Sequence, residues 1–154
     1  MARDLTEHAQ LVVRADRWLR NTLHCRVVLT ELRAATAVGD IPDDVGWVGW
    51  VGGCCIQVEC KVSRSDFISD LKKISRRIGM PCLGDWRFYL TPPGLLTGLE
   101  LPEGWGWYEV DGTRVRHAGG EEYSNMDIPP CHSCRDSEVD LLVSALARER
   151  NGHA

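Results

Sequence analysis

The chain has 154 residues, 44% hydrophobic and 26% charged, with a formal net charge of −4. That is the balance of an ordinary soluble domain, and the length suits one domain with a real core (expected as residues 1–154). No apolar run approaches the roughly 18–20 residues that span a bilayer, and the opening Met-Ala-Arg-Asp-Leu-Thr-Glu lacks a signal-peptide core, so a cytoplasmic chain with no membrane partner is expected. The acidic balance argues against a broad basic surface of the nucleic-acid-binding kind, leaving only a local patch for that role.

Along the chain, Thr6 or Asp4 caps a first helix to about Asn21, with Leu5, Ala9, Val12, Leu19 and Leu23 on one face. Cys25–Glu31 is short and β-branched, hence a strand, and Ala34–Asp44 reads as loop. Gly46–Gly52 and Cys54–Val62 flank Gly52-Gly53, a hairpin signal. Ser63-x-x-Asp66 opens a helix to about Ile78, with Phe67, Leu71, Ile74 and Ile78 inward and Lys72, Lys73, Arg76 and Arg77 outward. Trp86–Leu90, Trp107–Val110 and Thr113–His117 read as strands, the last two joined at Asp111-Gly112; Gly119–Pro130 reads as loop. Ser137-x-x-Asp140 caps a last helix to about 149, with Val139, Leu142, Val143 and Leu146 as its buried face. The expected fold is α/β, a mixed sheet of five or six strands flanked by helices.

The chemistry concentrates in residues 54–66, CCIQVECKVSRSD. Strand side chains alternate, so Ile56, Val58, Cys60 and Val62 share one face while Gln57, Glu59 and Lys61 share the other. A carboxylate and an ammonium on a buried strand are costly to desolvate and call for partners. The hairpin brings Asp43 or Asp44, near the start of one strand, beside Glu59 and Lys61 at the far end of the next. Two carboxylates that hold a magnesium ion, with a lysine beside them to stabilise charge, are the parts of a phosphodiester hydrolase. Either aspartate suits this role, and Glu31 is a candidate third acid, with Glu7 its rival. From Lys61 to Arg77 six basic residues face two acidic ones, a local net charge of +4. Arg64, Lys72, Lys73, Arg76 and Arg77 are therefore the candidate DNA contacts.

Gly39-Asp40-Ile41-Pro42-Asp43 followed by Glu59-Cys60-Lys61-Val62-Ser63-Arg64-Ser65-Asp66-Phe67 resembles the core of the PD-(D/E)xK, or restriction-endonuclease-like, nuclease superfamily. It is most similar to small phage and bacterial members with an E-x-K-x-S-R-S-D-F block. Arg87–Gly94 and Leu101–Gly106 resemble the later strand and turn of that group, and the likeness covers about residues 25–118. The resemblance implies a restriction-endonuclease-like fold and a Mg²⁺-dependent deoxyribonuclease, with Mn²⁺ as a substitute. It makes Asp43 and Glu59 the metal ligands and Lys61 the catalytic lysine.

Cys131-His132-Ser133-Cys134 has zinc-knuckle spacing but half the ligands a structural zinc takes, so zinc is not expected. The seven cysteines read mostly as reduced, buried small hydrophobes. Two alternatives stand beside the nuclease: a DNA-binding or assembly factor that does not cut, and a zinc-binding adaptor built on Cys131 and Cys134. A homodimer suits cleavage of two strands, but no residue marks an interface.

Overall fold

The computed structural model of the chain describes residues 5–30, 41–49 and 53–152. Asp4, Glu31, Trp50 and Gly52 of the expected hairpin turn lie outside them. Helix α1 spans Glu7–Asn21, and the side-chain oxygen of its N-cap, Thr6, accepts the Ala9 N–H at 3.2 Å. Six strands follow: β1 (Val27–Thr30), β2 (Asp44–Trp47), β3 (Cys55–Cys60), β4 (Trp86–Thr91), β5 (Trp105–Asp111) and β6 (Arg114–Gly120). They form one sheet in sequence order, parallel across β3, β4 and β5 and antiparallel elsewhere. This is the expected mixed α/β sheet, flanked by three helices.

Each face of the sheet has its own cover. Ile56, Val58, Cys60, Phe88 and Leu90 pack against Leu11, Val12, Trp18 and Leu19 of α1. On the other face Tyr89, Trp105 and Trp107 meet Phe67 of α2 (Arg64–Leu71), and Val45, Cys55 and Leu83 meet Leu141 of α3 (Arg135–Gly152). Trp105 and Trp107 are thus core residues.

The second helix is shorter than its periodicity predicts. Ser63 caps it, its Oγ accepting the Asp66 N–H at 3.2 Å. After Leu71, however, Lys73 turns extended (φ −62°, ψ 142°) and only a 3₁₀ turn at Ile74–Arg76 follows. Ile74 and Ile78, expected in the buried stripe, are 59% and 81% exposed. The break reverses the role of Arg76. A continued helix would carry it outward with its basic neighbours, whereas the turn sends it inward to Asp70 and Glu59.

The last helix also departs from its expected face. It begins at Arg135, and Ser137, read as its cap, is buried within it together with Glu138 and Leu141. Val139, Val143 and Leu146 are exposed. A polar clamp sets this rotation. Asp85, buried at the start of β4, accepts from the Ser133 N–H (3.0 Å), the Cys55 N–H (2.8 Å) and both terminal nitrogens of Arg135 (3.1 Å each). Arg135 also bonds Glu138 at 2.8 Å, pinning the first turn whatever the apolar period prefers.

Smaller corrections have local causes. Asp111 pairs with Arg114, so the β5–β6 turn is Gly112-Thr113, with Gly112 at φ 60° where a side chain would be strained. β6 runs on to Gly120, into the segment read as loop. Leu5, expected on the core face of α1, is exposed, and Leu11, Ala15 and Trp18 take the inward positions.

Candidate active site

The β2–β3 register builds the site. Asp44 pairs with Val58 and Val45 with Gln57, so Asp43 falls opposite Glu59, one step beyond the end of the ladder. Paired residues share a face. Asp43 therefore belongs to the Glu59 side of the sheet and Asp44 to the Val58 side, under α1. Contacts agree: the Asp43 carboxylate accepts the Cys60 N–H at 2.7 Å, while buried Asp44 accepts from the Thr30 hydroxyl at 2.7 Å. His8 of α1 stands 3.4 Å from the other Asp43 oxygen.

Glu59 lies in the middle of an ion network. Its Oε1 accepts from Gln57 Nε2 (2.9 Å) and Arg76 (3.0 Å), and its Oε2 from Lys61 Nζ (3.2 Å). Lys61 also reaches Asp70 Oδ1 at 3.4 Å, so the ammonium is suspended between two buried carboxylates. Asp70 in turn takes two bonds from Arg76 (2.7 and 3.0 Å), one from Lys73 (2.9 Å) and one from the Tyr89 hydroxyl (2.6 Å). The Arg76 guanidinium lies 4.6 Å over the Trp105 ring.

Proton affinities follow from this geometry. Burial pushes the Glu59 carboxyl up, and Asp70 and Asp43 add to the rise; Arg76 and Lys61 recover only part of it. Burial pushes Lys61 down, but Glu59, Asp70 and Asp43 more than offset this, leaving it above the ordinary lysine value and charged at neutral pH. Asp70 is raised by burial too, yet the bonds and charge of Arg76, with Lys61 and Lys73, hold it well below the usual carboxylate range. Tyr89 is raised by burial and by Asp70, so it keeps its proton and donates it.

A shallow cleft of about 280 Å³ opens over Cys60, Lys61, Ser69 and Asp70. A hard divalent cation such as Mg²⁺ keeps most of its waters and takes one or two carboxylates plus substrate phosphate. The donor set meets that demand through Asp43 and Glu59 Oε2, which accepts only from Lys61 among the described residues. Glu59 Oε1 is committed to Gln57 and Arg76. Among the described residues no group of three or more His, Cys, Asp and Glu side chains is arranged around a common metal position, so a cage built from protein alone is not what these residues offer.

Asp43, Glu59 and Lys61 are thus brought together, Asp44 is turned to the far face, and Glu31 lies outside the described residues. Of the five basic candidates, Lys72 and Arg77 are exposed, Lys73 is half-buried on Asp70, and Arg64 is exposed but bonded to Glu100. Arg76 is buried and cannot grip a phosphate backbone at the surface. Sequence reasoning missed Asp70, Gln57 and Tyr89. Asp70 did leave a trace, since it follows Phe67 by three residues and so shares the inward face of α2. Cys131 and Cys134 donate their N–H groups to the carbonyls of Asp85 and Cys82, tying the segment before α3 to the sheet.

No protein-family model and no curated protein matches the chain. Among solved structures it is similar to the SPO1766 protein of unknown function from Silicibacter pomeroyi, at 22% identity and a TM-score of 0.60, covering 96% of this chain and 91% of that one. At that identity the likeness shows the fold alone. Among the described residues no helix is long and apolar enough to cross a membrane.

Proposed function

We propose that the chain is a metal-dependent nuclease of the PD-(D/E)xK type that hydrolyses DNA phosphodiester bonds. One observation carries the reading: Lys61 Nζ is held 3.2 Å from Glu59 and 3.4 Å from Asp70, at the end of the sheet where Asp43 meets the Cys60 N–H. An ammonium fixed between two acids beside an open cleft is preorganised for charge that develops on a reacting phosphate. Asp43 stands just before β2, Glu59 near the end of β3 and Lys61 just after it, which supports the motif on which the resemblance rests.

In this reading Asp43 and Glu59 would hold Mg²⁺, which when bound would supply a Lewis acid and a more acidic water. The water oxygen forms the new bond to phosphorus and gives up its proton to solvent, while the phosphorus–oxygen ester bond opposite breaks and the departing oxygen takes a proton from solvent. Lys61, charged at neutral pH, acts as a cation: it neutralises charge on the phosphate oxygens and orients the incoming water. Asp70, anchored by Arg76 and Tyr89, keeps Lys61 from collapsing wholly onto Glu59. Lys72 and Arg77 meet the flanking backbone.

The test is cleavage of supercoiled, linear and branched DNA by wild type and Lys61→Ala, each with Mg²⁺, with Mn²⁺ and with EDTA. Cleavage that requires metal and is lost in the variant is the expected result. A second reading draws on Arg76, which already neutralises one oxygen of Glu59 much as a metal would: a DNA-binding factor that keeps the fold without cutting. DNA binding by both proteins with no cleavage of any substrate would establish that reading instead.

A further inference from the structure

Arg76 has a second neighbourhood. Beyond the ion network it forms part of the wall of a cleft of about 450 Å³, in the size range of small-ligand sites. Two further arginines, Arg77 and Arg87, line the same cleft, against one carboxylate, Glu103. Met80, Pro81 and Trp105 supply apolar and aromatic wall. On a chain of net charge −4, exposed Arg77 and half-buried Arg87, the latter held in place by its bonds to the Gly84 and His132 carbonyls, mark the cleft as a place for an anion, while Arg76 is already paired with Glu59 and Asp70. The apolar wall distinguishes it from a site for phosphate alone, because a bare oxyanion gains nothing from Met80 and Pro81. A flat heteroaromatic base joined to a phosphate uses both halves.

We propose that this cleft receives one unstacked nucleotide of the substrate strand, its phosphate toward Arg77 and Arg87 and its base against Met80 and Pro81. The inference rests on the nuclease reading for its place in the reaction. Arg76 and Arg77 join the two sites along the chain: the Arg76 guanidinium is turned to Glu59 and Asp70, and the next residue, Arg77, lines the cleft. A strand running from the Lys61 cleft into this one has to present a nucleotide outside a duplex stack, so the substrate class is DNA with an unpaired segment or end beside the cut. Unstacking is cheapest where a base has no partner.

Binding is tested in EDTA, so that it is read without cleavage. The full chain is titrated with thymidine 5′-monophosphate, with thymidine and with inorganic phosphate, followed by tryptophan fluorescence and by amide NMR shifts. Wild type is compared with Arg77→Glu and Met80→Glu at the exposed rim, and with Arg114→Glu on β6 as a charge control. Saturable binding of the nucleotide, at least tenfold tighter than phosphate or thymidine, is expected. Each rim variant should weaken it at least tenfold and Arg114→Glu should leave it intact. No saturable binding, equal binding of phosphate, or equal loss in the control overturns the site. Nucleotide binding without DNA cleavage under any metal would keep the cleft and remove the nuclease. Cleavage without nucleotide binding would do the reverse. If both hold, cleavage should favour single-stranded tails or flaps over blunt duplex, and Arg77→Glu should abolish that preference.

Discussion

Lys61 is held where an ordinary surface lysine would not stay. Its ammonium sits between Glu59 and Asp70 with little exposure, and the two carboxylates keep it protonated against the cost of burial. Removing that fixed charge by Lys61→Ala should lower the cleavage rate by about 10²–10³-fold, the usual cost of losing one preorganised donor, with duplex affinity little changed. Because Glu59 binds its proton more tightly than an ordinary carboxylic acid, its carboxyl in the metal-free protein should titrate above the usual 4.5 when followed by carbon NMR, and a titration at or below that value would mean that Arg76 and Lys61 outweigh its burial. Asp70 behaves oppositely. Its folded-state affinity for a proton is depressed, so its stabilisation is present above its unfolded value near 3.8 and is lost as pH falls below that. Asp70→Asn takes one of two carboxylates from buried Arg76, leaving it Glu59 alone, and should cost about 3 kcal/mol at neutral pH. Urea titrations at a series of pH values should show the gap from wild type closing below about pH 4; a gap independent of pH would mean that Asp70 is not ionised in the fold.

At the level of elements, α2 and α3 show local sequence signals outweighed by buried charge. The Ser63 cap is real, and Ser63→Ala should cost about 1 kcal/mol by chemical denaturation. Because that cap lies two residues after Lys61, the variant also tests whether the start of α2 keeps the cleft in shape. In α3 the Asp85–Arg135–Glu138 clamp fixes which face turns inward. Leu141, at 0% exposure, should cost about 2–5 kcal/mol when cut to Ala. Leu146, at 66% exposure, should change stability by less than about 0.5 kcal/mol. Equal losses at the two positions would restore the face that periodicity predicts.

For the whole molecule, a net charge of −4 means that the proposed DNA binding would depend on a small patch rather than a general field. With Arg76 buried and Arg64 and Lys73 engaged by Glu100 and Asp70, Lys72 and Arg77 are the exposed cations of the original group. The double variant Lys72→Ala/Arg77→Ala should flatten the slope of log affinity against log salt by about 2, one unit per lost phosphate contact. An unchanged slope would move the DNA path off this edge of the sheet.

The alternation of 56–62, the turn glycine at 112 and the caps at Thr6 and Ser63 are local patterns. They were enough to determine strand faces, most strand positions and the α/β class, because each rests on backbone geometry within a few residues. They also brought Glu59 and Lys61 beside Asp43 or Asp44 without choosing between the two, since a hairpin's register follows from its turn and its apolar alternation. Tertiary structure decided between Asp43 and Asp44, broke the second helix at Lys73, rotated α3, and turned Arg76 from a surface cation into the partner of Glu59. Those outcomes depend on charges brought together from distant segments. A buried carboxylate such as Asp70 or Asp85 draws in whatever donors the fold brings near, and helical periodicity yields because leaving such a charge unpaired costs more than exposing Ile74 or Leu146.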